Sequence, residues 1–167
     1  MDPLLIGALA AARSYAIIPR TVSQRPRSEK AMRFYQRLDR VSHDESDDTL
    51  LITCAQGPEC QPALWIGREG MYVSVSATYG PLEIALRPRQ RDLQMSLAQL
   101  RPTERLSAMR MVGTGQANIE LGLSNEGELL FRMTIVADAT GHLAMNMVLT
   151  SEVRQALFAW LGVDDDT

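Results

Sequence analysis

The sequence predicts an α+β fold made of two consecutive ββββα repeats that form antiparallel sheets packed by helices, with an N-terminal helical arm. Alternating apolar runs typical of strands follow one another from about position 48 onward, separated by turn residues. Two helical patterns, each after four such runs, divide this region into halves. Turn markers also recur: Glu69-Gly70 and Glu126-Gly127 are 57 positions apart, and Gly80 and Gly141 are 61 apart.

The first repeat is expected at about residues 48–100. Strands are predicted at 49–55, 63–67, 71–77 and 82–87, where apolar residues alternate with polar ones. Pro88 ends the fourth strand, because proline donates no hydrogen bond to a sheet. A helix from about residue 89 to residue 100 follows, with Leu93, Leu97 and Leu100 at helical spacing.

The second repeat is expected at about residues 106–161. Its strands are predicted at 108–112, 117–123, 129–137 and 142–149. Thr150-Ser151-Glu152 begins the second helix, which runs to about Leu161 and is ended by Gly162. Met133, Met145 and Met147 fall at inward strand positions and are expected to fill the core.

Residues 1–44 are predicted to form a helical and extended arm in front of the duplicated domain at 45–167. A helix is expected at Pro3–Ala16 and an extended linker at 18–27, because a residue before proline avoids helical geometry. A short helix should begin at Ser28 and reach Leu38, and Ser42 to Asp48 should form a solvated acidic loop.

The charge of the chain is unevenly distributed. Residues 1–44 carry eight Lys/Arg and four Asp/Glu, which gives +4, whereas residues 45–167 carry nine and sixteen, which gives −7. Residues 3–28 contain arginines and no acid, a composition that resembles a mitochondrial targeting sequence. The alternative is a cytoplasmic protein whose N-terminal helix packs on the domain or on a partner.

The cysteine and histidine content gives little support for a metal site or a disulfide framework. Cys54 and Cys60 suit a reducing compartment, and His43 and His142 are the only histidines that could complete a zinc site. We read Cys54 as an inward strand residue and expect no metal or other cofactor. No apolar run approaches the roughly 20 residues that span a bilayer as a helix.

The order of the elements in 48–161 resembles that of the PUR and Whirly families. In those single-stranded nucleic-acid-binding proteins, two curved four-stranded sheets are packed together by two helices. The resemblance consists of element order and strand length, and the Lys-Gly-Lys-Ala-Ala-Leu signature of plant Whirly proteins is absent from this sequence. It implies binding of single-stranded RNA or DNA by a homo-oligomer.

The strand pattern of the first repeat places two aromatic residues on one outward face. If Leu64 and Ile66 point inward, Trp65 points outward, and pairing across the Gly67–Gly70 hairpin would set it opposite Tyr72. Pairing Val73 with Ile84 would bring Tyr72 beside Ala85. Arg68 at the hairpin tip and Arg87 one pleat further would flank the rings. Such a face could bind a single-stranded nucleic acid, because rings stack on unpaired bases and guanidinium groups bind phosphates. The alternative is that Trp65 and Tyr72 form a cross-strand pair that is covered by another part of the chain.

Further arginines could extend that face. Arg89 and Arg91 belong to a cluster with Arg87, Arg101, Arg105 and Arg110 that brackets the first predicted helix, either as a basic rim or as ordinary solvated charges. In the second repeat, Arg132 is expected in an outward row with Glu120 and Asn146. Glu120 opposite Arg132 is expected to form a surface ion pair of small energetic consequence.

No motif in the sequence predicts an enzyme. A glycine-rich phosphate loop, a nucleophile elbow and a metal-ligand cluster are all missing, and His43-Asp44 is more typical of a solvated turn than of a catalytic pair. We therefore predict a single-stranded nucleic-acid-binding protein that uses Trp65, Tyr72 and the surrounding arginines. A non-catalytic subunit that docks on a larger complex through its N-terminal arm is the alternative, and a β-rich domain that binds a small ligand is a third possibility.

Overall fold

The described residues form strands and helices in an order that matches the α+β prediction. A computed structural model of the protein describes residues 35–55, 62–103, 109–138 and 141–164. The predicted helix at Pro3–Ala16, the linker at 18–27, the start of the helix at Ser28 and Cys60 lie outside the described residues. The strands are β1 (Gln36–Leu38), β2 (Arg40–Asp44), β3 (Thr49–Thr53), β4 (Pro62–Glu69), β5 (Tyr72–Tyr79), β6 (Leu82–Leu86), β7 (Arg110–Gly113), β8 (Ala117–Leu123), β9 (Leu129–Ala137) and β10 (Gly141–Leu149), and the helices are α1 (Gln90–Ala98) and α2 (Ser151–Leu161).

The strands form two five-stranded sheets. Sheet A has the order β1-β10-β9-β8-β7 and sheet B the order β2-β3-β4-β5-β6. Neighbouring strands are antiparallel in both sheets, except that β1 runs parallel to β10. Each sheet therefore consists of four consecutive strands and one short edge strand from the beginning of the described chain.

The eight strands and two helices predicted for 48–161 are confirmed, with ends that differ from the predicted ones by up to two residues. Thr150 caps α2 as predicted, because its side-chain oxygen accepts a hydrogen bond from the Val153 backbone NH. Gly162 ends the same helix in the left-handed conformation, with φ of 71°. Turn and cap residues thus define these boundaries in the sequence.

Buried side chains from both sheets and both helices form one hydrophobic core. Met133 and Met147 are buried as predicted, beside Leu121 and Phe131, and Met145 is partly buried against the same core. Cys54 lies just after β3 and is partly buried against the same core. The remaining faces of the two sheets are the outer faces, where a binding surface must be sought.

Residues 36–44 differ from the prediction. Instead of a helix ending at Leu38 and a loop from Ser42, they form β1 and β2, one strand in each sheet. The chain changes sheets at Asp39: Leu38 accepts a hydrogen bond from the Thr150 NH in sheet A, and the Asp39 NH donates to Thr53 in sheet B. Edge strands this short have too few apolar positions to show an alternating pattern, so the sequence favoured a helix.

Candidate nucleic-acid interface

The outer face of sheet B carries the exposed indole that the sequence predicted. Leu64, Ile66, Val73 and Val75 point into the core, and the residues between them point outward. Trp65 is 45% exposed at the middle of β4, the central strand of the sheet. The row across the sheet through Trp65 consists of Ser42, Leu51, Ser76 and Ala85.

The predicted pairing of the aromatic residues is wrong, although both lie on the outer face. Trp65 pairs with Ser76, and Tyr72 pairs with Glu69. Gly70, with φ of 64°, makes a two-residue turn with Met71, so the hairpin is longer than predicted and its register moves by four residues. The register between β5 and β6 also differs from the prediction by four residues, so that Ile84 pairs with Ala77 and Ala85 pairs with Ser76. Tyr72 lies four residues along β5 from the partner of Trp65, about 13 Å at the strand rise.

Tyr72 and Arg87 form a second contact pair on this face. The Arg87 guanidinium lies 5.1 Å from the centroid of the Tyr72 ring, a cation–π distance. Its Nε also binds the Glu69 carboxylate at 2.7 Å. Arg87 is therefore held over the ring, and its side chain is still 60% exposed.

The start of α1 brings two more of the predicted arginines to the same edge of sheet B. The Val73 NH donates to Pro88 and the Gln90 NH donates to Met71, which fixes the start of the helix beside β5. Arg89 precedes the first helical residue and forms an isolated bridge with Tyr72, and Arg91 lies in the first turn. Both are exposed. We call Tyr72, Arg87, Arg89 and Arg91 the basic edge.

Arg68 does not flank Trp65, because it lies on the other side of β4. Its Nη1 binds the Asp48 carboxylate at 2.9 Å, and its guanidinium stacks 4.5 Å from the centroid of the Trp160 ring. It also donates a hydrogen bond to the Trp160 carbonyl. These contacts join the β2–β3 turn to the end of α2, so Arg68 has a structural role in this arrangement.

Asp48 is the centre of that cluster, which sequence reasoning missed. It accepts hydrogen bonds from Trp160 Nε1 at 2.8 Å and from His43 Nε2 at 3.2 Å, in addition to the bond from Arg68. Desolvation raises the pKa of the Asp48 carboxyl, but the hydrogen bonds from Trp160 and His43 and the charge of Arg68 outweigh it, so the pKa is lowered. These residues are far apart in sequence, and no local pattern connects them.

Arg132 is paired with Glu120 and Asn146 as predicted, but it does not lie at the surface. Its exposure is 8%, and its Nη1 binds the Glu120 carboxylate at 3.0 Å. Its neighbours on the outer face of sheet A include the buried residues Asn118 and Thr134. The ion pair is therefore partly buried rather than solvated, and Arg132 is not available to a phosphate.

A cleft beside Trp65 has the opposite charge to the basic edge. It has a volume of about 620 Å³ and is lined by Trp65, by strand residues of β2 and β3 and by three acids of the β2–β3 hairpin: Asp44, Glu45 and Asp47. The sequence showed this acidic stretch but placed it in a loop. Its position next to the indole follows from the pairing of β2 with β3, with Ser42 opposite Leu51.

Comparison with known proteins gives no family for the chain. No protein-family model matches the sequence, and neither the curated proteins nor the solved structures contain a match. Within residues 35–55, 62–103, 109–138 and 141–164, no three His, Cys, Asp or Glu side chains are grouped so that they could hold a metal ion. No helix in these ranges is long and apolar enough to cross a membrane. The outer faces of the two sheets are therefore the features from which a function can be inferred.

Proposed function

We propose that the protein binds single-stranded RNA or DNA on the outer face of sheet B. The observation that carries this proposal is the half-exposed Trp65 at the centre of a sheet face, where its outward neighbours on β5 and β6, Ser76 and Ala85, are small. An exposed indole on such a platform can stack on an unpaired base, since every base has a π-face. Tyr72, about 13 Å along the sheet, can accept a second base beside Arg87.

The basic edge supplies the groups that a phosphate backbone needs. Arg87, Arg89 and Arg91 carry guanidinium groups, which can bind phosphate oxygens in a bidentate manner. Arg87 already bridges Tyr72 and Glu69, so a phosphate would compete with that carboxylate for it. Arg89 and Arg91 point from the start of α1, where the partial positive charge of the helix also favours an anion.

We further propose that β3–β6 with α1 and β7–β10 with α2 are two copies of one ββββα unit. The support is their identical element order and the paired turn markers in the sequence. This origin agrees with the resemblance to the PUR and Whirly families, which implies single-strand binding. The predicted arm, homo-oligomer and mitochondrial location depend on residues 1–34 or on further copies of the chain, so they stay predictions.

The test is fluorescence polarisation with labelled single-stranded oligonucleotides, read for the wild type and for the Trp65→Ala/Tyr72→Ala variant. Each lost ring should weaken binding by about 1–3 kcal/mol, roughly 5- to 160-fold. If three arginines contact phosphates, the logarithm of the affinity should fall with the logarithm of salt concentration with a slope of about −2.

Tyr79→Ala is the matched control for the loss of Tyr72. Tyr79 lies on the same strand and is 43% exposed, but it is seven positions away and so points to the opposite side of β5. This control should bind as the wild type does. Equal and negligible binding by the wild type and the double variant, in low salt, would remove the proposed function.

A further inference from the structure

Sheet B carries charges of opposite sign at its two edges. The acidic hairpin, defined here as Asp44, Glu45 and Asp47, lies at the β2 edge and shares a cleft with Trp65. The basic edge lies at β6 and the start of α1. Four strand spacings separate β2 from β6, which is about 19 Å. The indole of Trp65 on β4 therefore stands between carboxylates on one side and guanidinium groups on the other.

The Asp44 carboxylate of this hairpin is stabilised in its charged form. Hydrogen bonds from the side chain and the backbone NH of Ser46 lower the pKa of the Asp44 carboxyl below its ordinary value. Glu45 and Asp47 are exposed in the turn. Asp48 does not add to this surface, because it binds Arg68, His43 and Trp160 on the other side of the sheet.

A single strand and a duplex would meet this surface differently. A single strand has one phosphate backbone, which can follow the basic edge while its unpaired bases turn toward Trp65. A duplex has a second backbone, and its width is comparable to the distance between the two edges of the sheet. If one backbone binds the basic edge, the second comes near the acidic hairpin, where phosphate and carboxylate charges repel each other. Its paired bases, in addition, do not present a face to the indole.

We propose that the acidic hairpin is a specificity element that excludes duplex nucleic acid and so restricts the outer face of sheet B to single strands. This inference rests on the proposed function. It assigns a role to three acids that contribute nothing to stacking or to phosphate binding. It also explains how a domain whose residues 45–167 carry a net charge of −7 can bind nucleic acid along one basic edge.

The test compares two double variants with the same change in charge. Glu45→Gln/Asp47→Asn neutralises two acids of the hairpin and leaves Asp44 with its Ser46 contact. Glu126→Gln/Asp138→Asn neutralises one Glu and one Asp in exposed turns of sheet A. Asp138 has φ of 54°, a conformation that Asn adopts readily, so the control should fold normally. Far-UV circular dichroism and the thermal midpoint confirm folding of both proteins.

The measured quantity is the ratio of duplex to single-strand dissociation constants, with the same sequence labelled in both forms. The hairpin variant should bind the duplex about fivefold more tightly or better, while its single-strand affinity changes by about twofold or less. The sheet A control should keep the wild-type ratio.

The outcomes separate the two proposals. Two results would overturn the exclusion of duplex and leave single-strand binding in place. In the first, the wild-type protein binds duplex as tightly as single strands. In the second, the hairpin variant gains affinity equally for both forms. Equal changes of the ratio in both double variants would overturn it as well, since they would show an effect of net charge alone. Wild-type protein that binds neither form would refute the proposed function, and the exclusion with it.

Discussion

Replacing Leu38 with alanine tests whether the chain before residue 44 belongs to the folded domain. Leu38 is fully buried in the core, and its strand β1 pairs with Leu149 and its neighbours in sheet A. The substitution removes three carbon atoms, worth about 0.8 kcal/mol each in transfer free energy, and leaves a cavity that raises the cost. We expect a loss of about 3 kcal/mol in the free energy of unfolding, or roughly 10 °C in Tm for a domain of this size.

The measurement is urea unfolding followed by the fluorescence of Trp160, which is buried, in a Trp65→Phe background that removes the exposed indole. Val41→Ala serves as the control, because Val41 lies on the neighbouring strand β2 and is 37% exposed. It should cost no more than about 0.5 kcal/mol. If Leu38→Ala unfolds at the same urea concentration as the parent, β1 does not contribute to the core, and the arm predicted to reach residue 44 would be the better description.

Two further substitutions test the turn and the carboxylate cluster. Gly70→Ala should destabilise the protein by about 1 kcal/mol, because φ is +64° there, whereas Gly115→Ala, which meets no neighbouring atom, should be nearly neutral in the same urea titration. The lowered pKa of Asp48 means that its contribution to stability is present above the unfolded-state pKa of 3.8 and is lost as the pH falls through the folded-state value. As the pH is lowered from about 5 to about 2.5, the free energy of unfolding of the Asp48→Asn variant should therefore fall less than that of the wild type. Parallel curves of unfolding free energy against pH would contradict this account.

The long strands were predictable because one physical signal dominates each of them. In β8, β9 and β10 most inward positions are occupied by large apolar residues, and in β5 the inward residues alternate with serine and threonine. The short edge strands lack that signal. In β2 only Val41 is a large apolar residue, and its five residues are all exposed. Its place in the sheet is determined by backbone hydrogen bonds to β3, which no side-chain pattern records.

Strand register was the step at which sequence reasoning failed for the site. Predicting that Trp65 faces outward required only the alternation of side chains along β4, and this prediction is confirmed. Predicting its partner required the exact position of the turn. Moving the turn to Gly70-Met71 separates Trp65 from Tyr72 by two pleats and pairs it with Ser76 instead. The two rings therefore form separate contact points rather than one aromatic pair.

The arginines predicted for the site fall into two groups, those exposed at the surface and those held by contacts with other elements of the fold. Arg87, Arg89 and Arg91 lie between the end of β6 and the first turn of α1, a location where side chains project into solvent, and all three are exposed. Arg68 and Arg132 occupy strand positions opposite acids or rings from other elements. Their roles depend on Asp48, Trp160 and Glu120, which only the folded chain brings near.

Each sheet contains four consecutive antiparallel strands, but the outer faces of the two sheets differ, and this contrast is the reason for proposing sheet B as the binding surface. On sheet A the outward residues Leu130, Arg132, Thr134 and Val148 are all at least nine-tenths buried. Several polar atoms there, including Arg132 Nε and Thr134 Oγ1, have no hydrogen-bond partner among the described residues. These central positions of sheet A offer no area for a base or a phosphate, although Met111 at the edge of the same face is exposed. The outer face of sheet B keeps Trp65 open to solvent, and the proposed stacking of a base on a ring is therefore assigned to this face.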